Sequence, residues 1–173
     1  LKPDYASAHN NLGNMLRELG KLDEAEARCR QAIVLKPGLA EAHNNLGIAL
    51  KELERLDEAE ASCRQAIALQ PDFAEAHNNL GITLQELERP DEAEASYRQA
   101  IALKPDYAKA QINLGDTLHE QGRLDEAEAS YRQAIVLRSD FAEAHNNLGL
   151  VLRELGRGEE AGSSYRQAIA LQS

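Results

Sequence analysis

The sequence predicts an all-α chain of stacked helical hairpins, and three observations carry that prediction. The first is a period. Ala74-Glu75-Ala76-His77-Asn78-Asn79-Leu80-Gly81 recurs at 40–47 and 142–149, and in altered form at 6–13 and 108–115, each copy 34 residues after the last. The second is composition. Ala, Leu and Ile dominate the apolar residues, Trp is absent, and only five Tyr and two Phe are present, which is helix-forming material. The third is pattern. Apolar residues fall at three- and four-residue steps, and no β-branched run alternates with period two, so no sheet is expected.

The period divides the 173 residues into repeats 6–39, 40–73, 74–107, 108–141 and 142–173, with 1–5 as the stub of a preceding repeat. A single domain over 1–173 is expected, because a stack of repeats has no one globular core. Repeats two and three differ at only six places. Leu1-Lys2-Pro3 matches Leu103-Lys104-Pro105, which closes a repeat, so the chain reads as a piece of a longer array.

Each repeat reads as two helices. In repeat two, Ala42, Leu46, Ala49, Leu50 and Leu53 share one face of a helix, A, from Ala40 to about Leu53. A break follows at Glu54-Arg55, where other repeats have Gly20, Gly122 and Gly156. Glycine there suits a left-handed helix C-cap. Glu54 and Glu88 in that conformation cost about 1 kcal/mol each. Helix B runs from about Asp57 to Leu69. Asp57 with Glu60 has capping-box spacing, repeated as Asp23/Glu26, Asp91/Glu94 and Asp125/Glu128. The fifth repeat has Glu159 and Gly162 instead, so its helix B is expected to start less firmly. Pro90 fits the first position of a helix. Pro37, Pro71 and Pro105 close helix B, with Ser139 and Ser173 in the last two repeats. Gly47 on A, and Ala59 and Ala66 on B, have counterparts in all five repeats and let the two helices approach closely.

These residues resemble the tetratricopeptide repeat: Leu-Gly in helix A (Leu12-Gly13, Leu46-Gly47, Leu80-Gly81, Leu114-Gly115, Leu148-Gly149), two helix-B alanines and a closing Pro at period 34. The resemblance implies a right-handed α-solenoid of antiparallel helix-turn-helix repeats, with A helices lining a concave groove. The family's early aromatic is replaced by His9, His43, His77, Gln111 and His145. The run Ala-His-Asn-Asn-Leu-Gly looks most like the repeats of O-linked N-acetylglucosamine transferases and related bacterial proteins. In those enzymes an asparagine before the Leu holds substrate peptide backbone. The matching residues are Asn11, Asn45, Asn79, Asn113 and Asn147. No glycosyltransferase catalytic region lies in these residues.

Composition narrows the function. The formal charge is −10, with 29 acids against 19 bases, whereas phosphate-binding surfaces cluster Lys and Arg. No nucleic-acid partner is expected. No apolar run reaches 18 residues, so no membrane span is expected. Cys29 and Cys63 hold the same place in neighbouring repeats. Packed helices lie about 8–10 Å apart, too far for a disulfide, which needs Cα atoms within roughly 7 Å. Two unpaired thiols fit a reducing compartment, and a cytoplasmic chain is expected. The repeated histidines are too far apart to share a zinc, whose ligands lie about 2.0–2.1 Å away. The Ser, His and Glu residues stand at repeated positions, which marks architecture, and no phosphate loop is present. No enzyme activity, cofactor or metal is expected.

What remains is a binding groove. Asn costs up to about 0.7 kcal/mol in a helix interior relative to Ala, yet the A helices carry a row of five and a second row at Asn10, Asn44, Asn78 and Asn146. An amide pairs with a peptide group whatever its side chain; the alternative is a ladder of amides bonded between helices. Helical spacing puts Glu41, Asn45, Ile48 and Glu52 on one face, with Glu75, Asn79, Ile82 and Glu86, and Glu143, Asn147, Leu150 and Glu154, as equivalents. The groove thus reads as acidic flanks with apolar islands. The fourth repeat departs: Lys109, Gln111-Ile112 and Asp116 replace Glu, His-Asn and Ile. Lys109 alone makes no clamp for a C-terminal carboxylate.

The reading is a non-catalytic scaffold holding an extended peptide, basic or neutral with some apolar side chains, on the asparagine row. The alternatives are a substrate-recognition segment of a larger glycosyltransferase and a self-assembling module. End-to-end self-association is expected, because the fifth helix B ends at Leu171-Gln172-Ser173 with Tyr165 and Ile169 where a further repeat would pack.

Overall fold

The computed structural model describes residues 4–172. The match of Leu1-Lys2-Pro3 and the exchange at Ser173 lie outside the described residues. Ten helices and no strand occur among those described: α1 (Asp4–Glu18), α2 (Leu22–Leu35), α3 (Ala40–Glu52), α4 (Leu56–Leu69), α5 (Ala74–Glu86), α6 (Pro90–Leu103), α7 (Ala108–Glu120), α8 (Leu124–Leu137), α9 (Ala142–Glu154) and α10 (Gly158–Ala170). The fold class is an all-α repeat of the solenoid kind. α1 begins at Asp4, inside the segment read as a stub.

The chain divides into two compact units, one ending at Arg89 and one starting at Pro90. In the first, α1 pairs with α2 and α3 with α4, while α2 packs on α3 and α4 on α5. The A helices α1, α3 and α5 are neighbours in a row. In the second, α7 pairs with α8 and α9 with α10, α6 packs on α7, α8 packs on α9, and α7 lies beside α9.

Small residues set the pairing distance. A Cβ on Gly47 would lie 2.6 Å from Cys63 Sγ and 3.2 Å from the Ala59 carbonyl oxygen. One on Gly115 would lie 2.6 Å from the Tyr131 ring. No side chain fits at such distances without repacking, which costs about 1–3 kcal/mol. Ala59, Ala66, Ala127 and Ala134 are fully buried on the facing side.

Each A helix ends as expected. Glu54 and Glu88 have φ of 59° and 58°, matching 73° at Gly20 and Gly122 and 78° at Gly156. The Glu54 N–H donates to the Lys51 carbonyl at 2.8 Å and the Arg55 N–H to the Leu50 carbonyl at 2.9 Å. That pair is a Schellman motif.

The start of helix B differs from the expectation. It begins one residue earlier, at Leu56, and Arg55 is the N-cap without a side-chain cap bond. The same holds at α2, α8 and α10. Asp57 is therefore already inside the helix, where its charge suits the positive end of the dipole, and no capping box forms. The reason lies upstream: the Schellman turn uses residues 54 and 55 to reverse the chain. The exchange of Asp for Glu159 and of Glu for Gly162 accordingly leaves α10 starting in register at Gly158.

Glu60 has another task. Its carboxylate accepts from Arg64 at 2.8 Å and from Arg89 at 2.7 Å. The pattern repeats as Glu26 with Arg30 and Arg55, Glu94 with Arg98 and Arg123, and Glu128 with Arg132 and Arg157. In each set the second arginine belongs to the turn that closes the following helix A. Burial pushes these carboxyls up, but hydrogen bonds and charge from both arginines outweigh it and hold them below the usual carboxylate range.

Glu54→Gly and Glu88→Gly relieve left-handed strain and raise stability by about 0.5–1 kcal/mol each in urea unfolding. The four depressed carboxylates stabilise fully above the unfolded glutamate value, about 4.3. That stabilisation is lost as pH falls through their lower folded values. Acid unfolding therefore shallows in Glu60→Gln and Glu94→Gln, read as unfolding free energy against pH.

Candidate functional site

The face presented by α1, α3 and α5 carries the expected side chains. Asn11 and Glu41 are exposed, while Asn45, Ile48, Glu75, Asn79 and Ile82 are half-buried. In the second unit Lys109 is exposed and Asn113, Asp116, Asn147 and Leu150 are half-buried. The flank bearing Glu52 and Glu86 is partly neutralised, which charge counting did not reveal. Glu52 pairs with Arg17 at 2.9 Å, and Glu86 with Lys51 at 3.1 Å.

The two asparagine rows are joined. Asn45 Nδ2 donates to Asn10 Oδ1 and Asn79 Nδ2 to Asn44 Oδ1, both at 2.9 Å. Asn10 and Asn44 are buried, so the bond satisfies an acceptor that would otherwise be costly. Asn45 and Asn79 each keep an Oδ1 and a second N–H for the face.

The odd fourth repeat now has a physical explanation. Ile112, which is buried, stands where the inner row has Asn44, so no amide acceptor remains there. Asp116, one helical turn on, takes over. Its Oδ1 accepts from Asn147 Nδ2 at 2.9 Å and from the Tyr131 hydroxyl at 2.7 Å. The two exchanges are one coupled change that moves the acceptor along α7. Burial pushes the Asp116 carboxyl up, and the charges of Glu143 and Glu120 add to that against the hydrogen bonds from Tyr131 and Asn147.

Between α3 and α5 this face opens into a cavity of about 210 Å³ lined by Ile48, Lys51, Glu52, Cys63, Asn79, Ile82 and Thr83. Cys63 forms its floor. Burial pushes the thiol up to about 12, against a hydrogen bond from Thr83, and Cys29 up to about 11, against the charge of Arg17. Both are free and buried.

The B-helix side also has clefts, of about 420 Å³ beside Ile33, Val34 and Leu46 and about 360 Å³ beside Ile135, Val136 and Leu148. Sequence reading missed them. Val34 and Val136 are exposed valines where the other repeats have Ala, but a third cleft of about 410 Å³ forms beside Ile101, Ala102 and Leu114 without one. The histidines serve the loops: Nε2 of His43, His77 and His145 lies 3.0, 3.0 and 3.2 Å from the carbonyl oxygens of Pro37, Pro71 and Ser139. Tyr165 is half-buried against Gly149, while Ile169 is exposed. Among the described residues, no helix is long and apolar enough to cross a membrane.

Asp116 yields a test with a definite sign. A carboxylate whose folded value is raised contributes stability below its unfolded value and loses it as pH rises through the folded value. Asp116→Asn therefore matches or exceeds wild-type stability at pH 7. Its advantage shrinks as pH falls through the folded Asp116 value and is gone below the unfolded one, about 3.9, read by urea unfolding across pH.

Two family models, both described as tetratricopeptide repeat, match the chain, one at 4–72 and 38–106 and the other at 78–140 and 120–173. No curated protein matched. Solved structures share the fold. MamA is 25% identical, with 92% of this chain and 94% of that chain covered and a TM-score of 0.81. YrrB, described as a TPR protein with an unusual peptide-binding site, is 25% identical over 95% of this chain and 84% of its own, with a TM-score of 0.73. PilF of Pseudomonas aeruginosa is 21% identical over 96% and 76%, with a TM-score of 0.91, a likeness of fold alone. With one model spanning residues 4–106 and the other continuing to 173, the chain belongs to the tetratricopeptide repeat family.

Proposed function

We propose that the chain is a non-catalytic protein-binding scaffold whose A-helix faces hold an extended peptide segment. Family membership and the likeness to YrrB, itself described as having a peptide-binding site, support the general role. One observation carries the finer reading. Asn45 and Asn79 are held in fixed orientation by their bonds to Asn10 and Asn44, yet each keeps an acceptor and a donor for a ligand. Such preorganisation lowers the ordering cost of binding.

The spacing suits a peptide. Neighbouring A helices lie roughly 10 Å apart, and an extended chain advances about 3.3 Å per residue. One asparagine therefore meets about every third peptide group. Each hydrogen bond nets about 0.5–1.5 kcal/mol, so the asparagines of one unit give weak, sequence-tolerant binding. Ile48 and Ile82 add apolar contact, and exposed Glu41 favours basic residues on that side.

The test is a peptide array of basic and neutral extended decamers against the wild type and an Asn45→Ala/Asn79→Ala variant. Affinity falls about tenfold. Stability falls about 1–3 kcal/mol per site because Asn10 and Asn44 lose their donors. Peptides that bind both proteins equally would show the row to be purely structural.

A further inference from the structure

We infer that the cavity over Cys63 is a receptor for one aromatic side chain of the bound segment. This rests on the peptide-binding reading of the same face and names what that face selects.

The second unit shows what the space takes. Ile48, Cys63 and Asn79 correspond, two repeats on, to Asp116, Tyr131 and Asn147. There Tyr131 fills the position from beneath. Its ring lies against Gly115, and its hydroxyl donates at 2.7 Å to Asp116, which also accepts from Asn147. In the first unit a cysteine replaces the tyrosine and stops short. The bounding residues keep their places, and the ring's volume becomes a cavity of about 210 Å³ between α3 and α5.

Its size and chemistry fit a ring. An apolar cavity of about 150 Å³ already takes a benzene molecule. Ile48 and Ile82 form apolar walls, and the buried Cys63 sulfur forms the floor, a favourable contact for an aromatic edge. Asn79 lines the cavity and presents its remaining amide donor and acceptor beside it, placed for the backbone next to the inserted ring.

The experiment uses the full chain with labelled isoleucine methyls. Two probes are added: toluene, and the fluorescein-labelled heptapeptide Gly-Lys-Ala-Phe-Ala-Lys-Gly with its Phe-to-Ala analogue. Toluene is expected to shift the Ile48 and Ile82 methyls and to compete with the Phe peptide. The Phe peptide binds roughly tenfold or more tighter than the analogue. Cys63→Tyr fills the cavity and abolishes both effects, whereas Cys63→Ser keeps them. Tyrosine beside an apolar groove residue is already tolerated at Tyr165 and Leu150. Should Cys63→Tyr not fold, Ile82→Ala removes one wall and must reduce the Phe preference.

Equal binding of the two peptides overturns the receptor while leaving the peptide face intact. A Phe preference that survives Cys63→Tyr overturns it as well. Binding of toluene without either peptide overturns the assignment to a peptide, and the peptide-binding reading fails with it. Binding of neither probe overturns both.

Discussion

Helix A meets helix B at a glycine, and the distance there is too short for any side chain. Gly13 and Gly47 lie on Cys29 and Cys63, and Gly115 and Gly149 lie on Tyr131 and Tyr165. That approach fixes how deep each hairpin is. It also decides which helix-B atoms reach past helix A. A tyrosine extends beneath the glycine to the far face, where the Tyr131 hydroxyl bonds Asp116. A cysteine ends inside. The residue facing the glycine is therefore a packing residue whose length is read on the opposite surface.

Polar bonds then tie successive repeats at two levels. On the A side, outer asparagines bond inner ones of the preceding repeat. On the B side, a glutamate receives arginines from its own helix and from the next turn. A buried polar group needs a partner, and the fourth repeat obeys that rule by different means. Ile112 removes an amide and Asp116 restores an acceptor one turn away. Burying a carboxylate costs more than burying an amide, and the raised Asp116 value reflects that cost.

What the sequence made legible was whatever acts within a few residues. The 34-residue period, the glycine-like turn at Glu54 and Glu88, and the helix-start Pro90 all follow from local backbone chemistry. The Asp57/Glu60 spacing misled because a box three residues wide looks the same whether its acid precedes the helix or lies in it. Only the backbone of Arg55, at φ −94° and ψ 65°, distinguishes them. Glu60 and Arg89 are 29 residues apart, and Asn45 and Asn10 are 35 apart. Such pairs depend on how one hairpin leans on another, which no local pattern encodes.

Near-identical repeats thus present different surfaces for a reason that lies behind those surfaces. Repeats two and three differ at six positions, and one of these is Cys63 against Tyr97. That position is buried in both, 0% exposed. Substitution there leaves the groove-facing residues Ile48 and Asn79 unchanged and alters only the volume beneath them. Selectivity can then change while the polar ladder and the closely packed glycines stay as they are. A repeat array can in this way diversify its binding face without risking the bonds that hold neighbouring hairpins together.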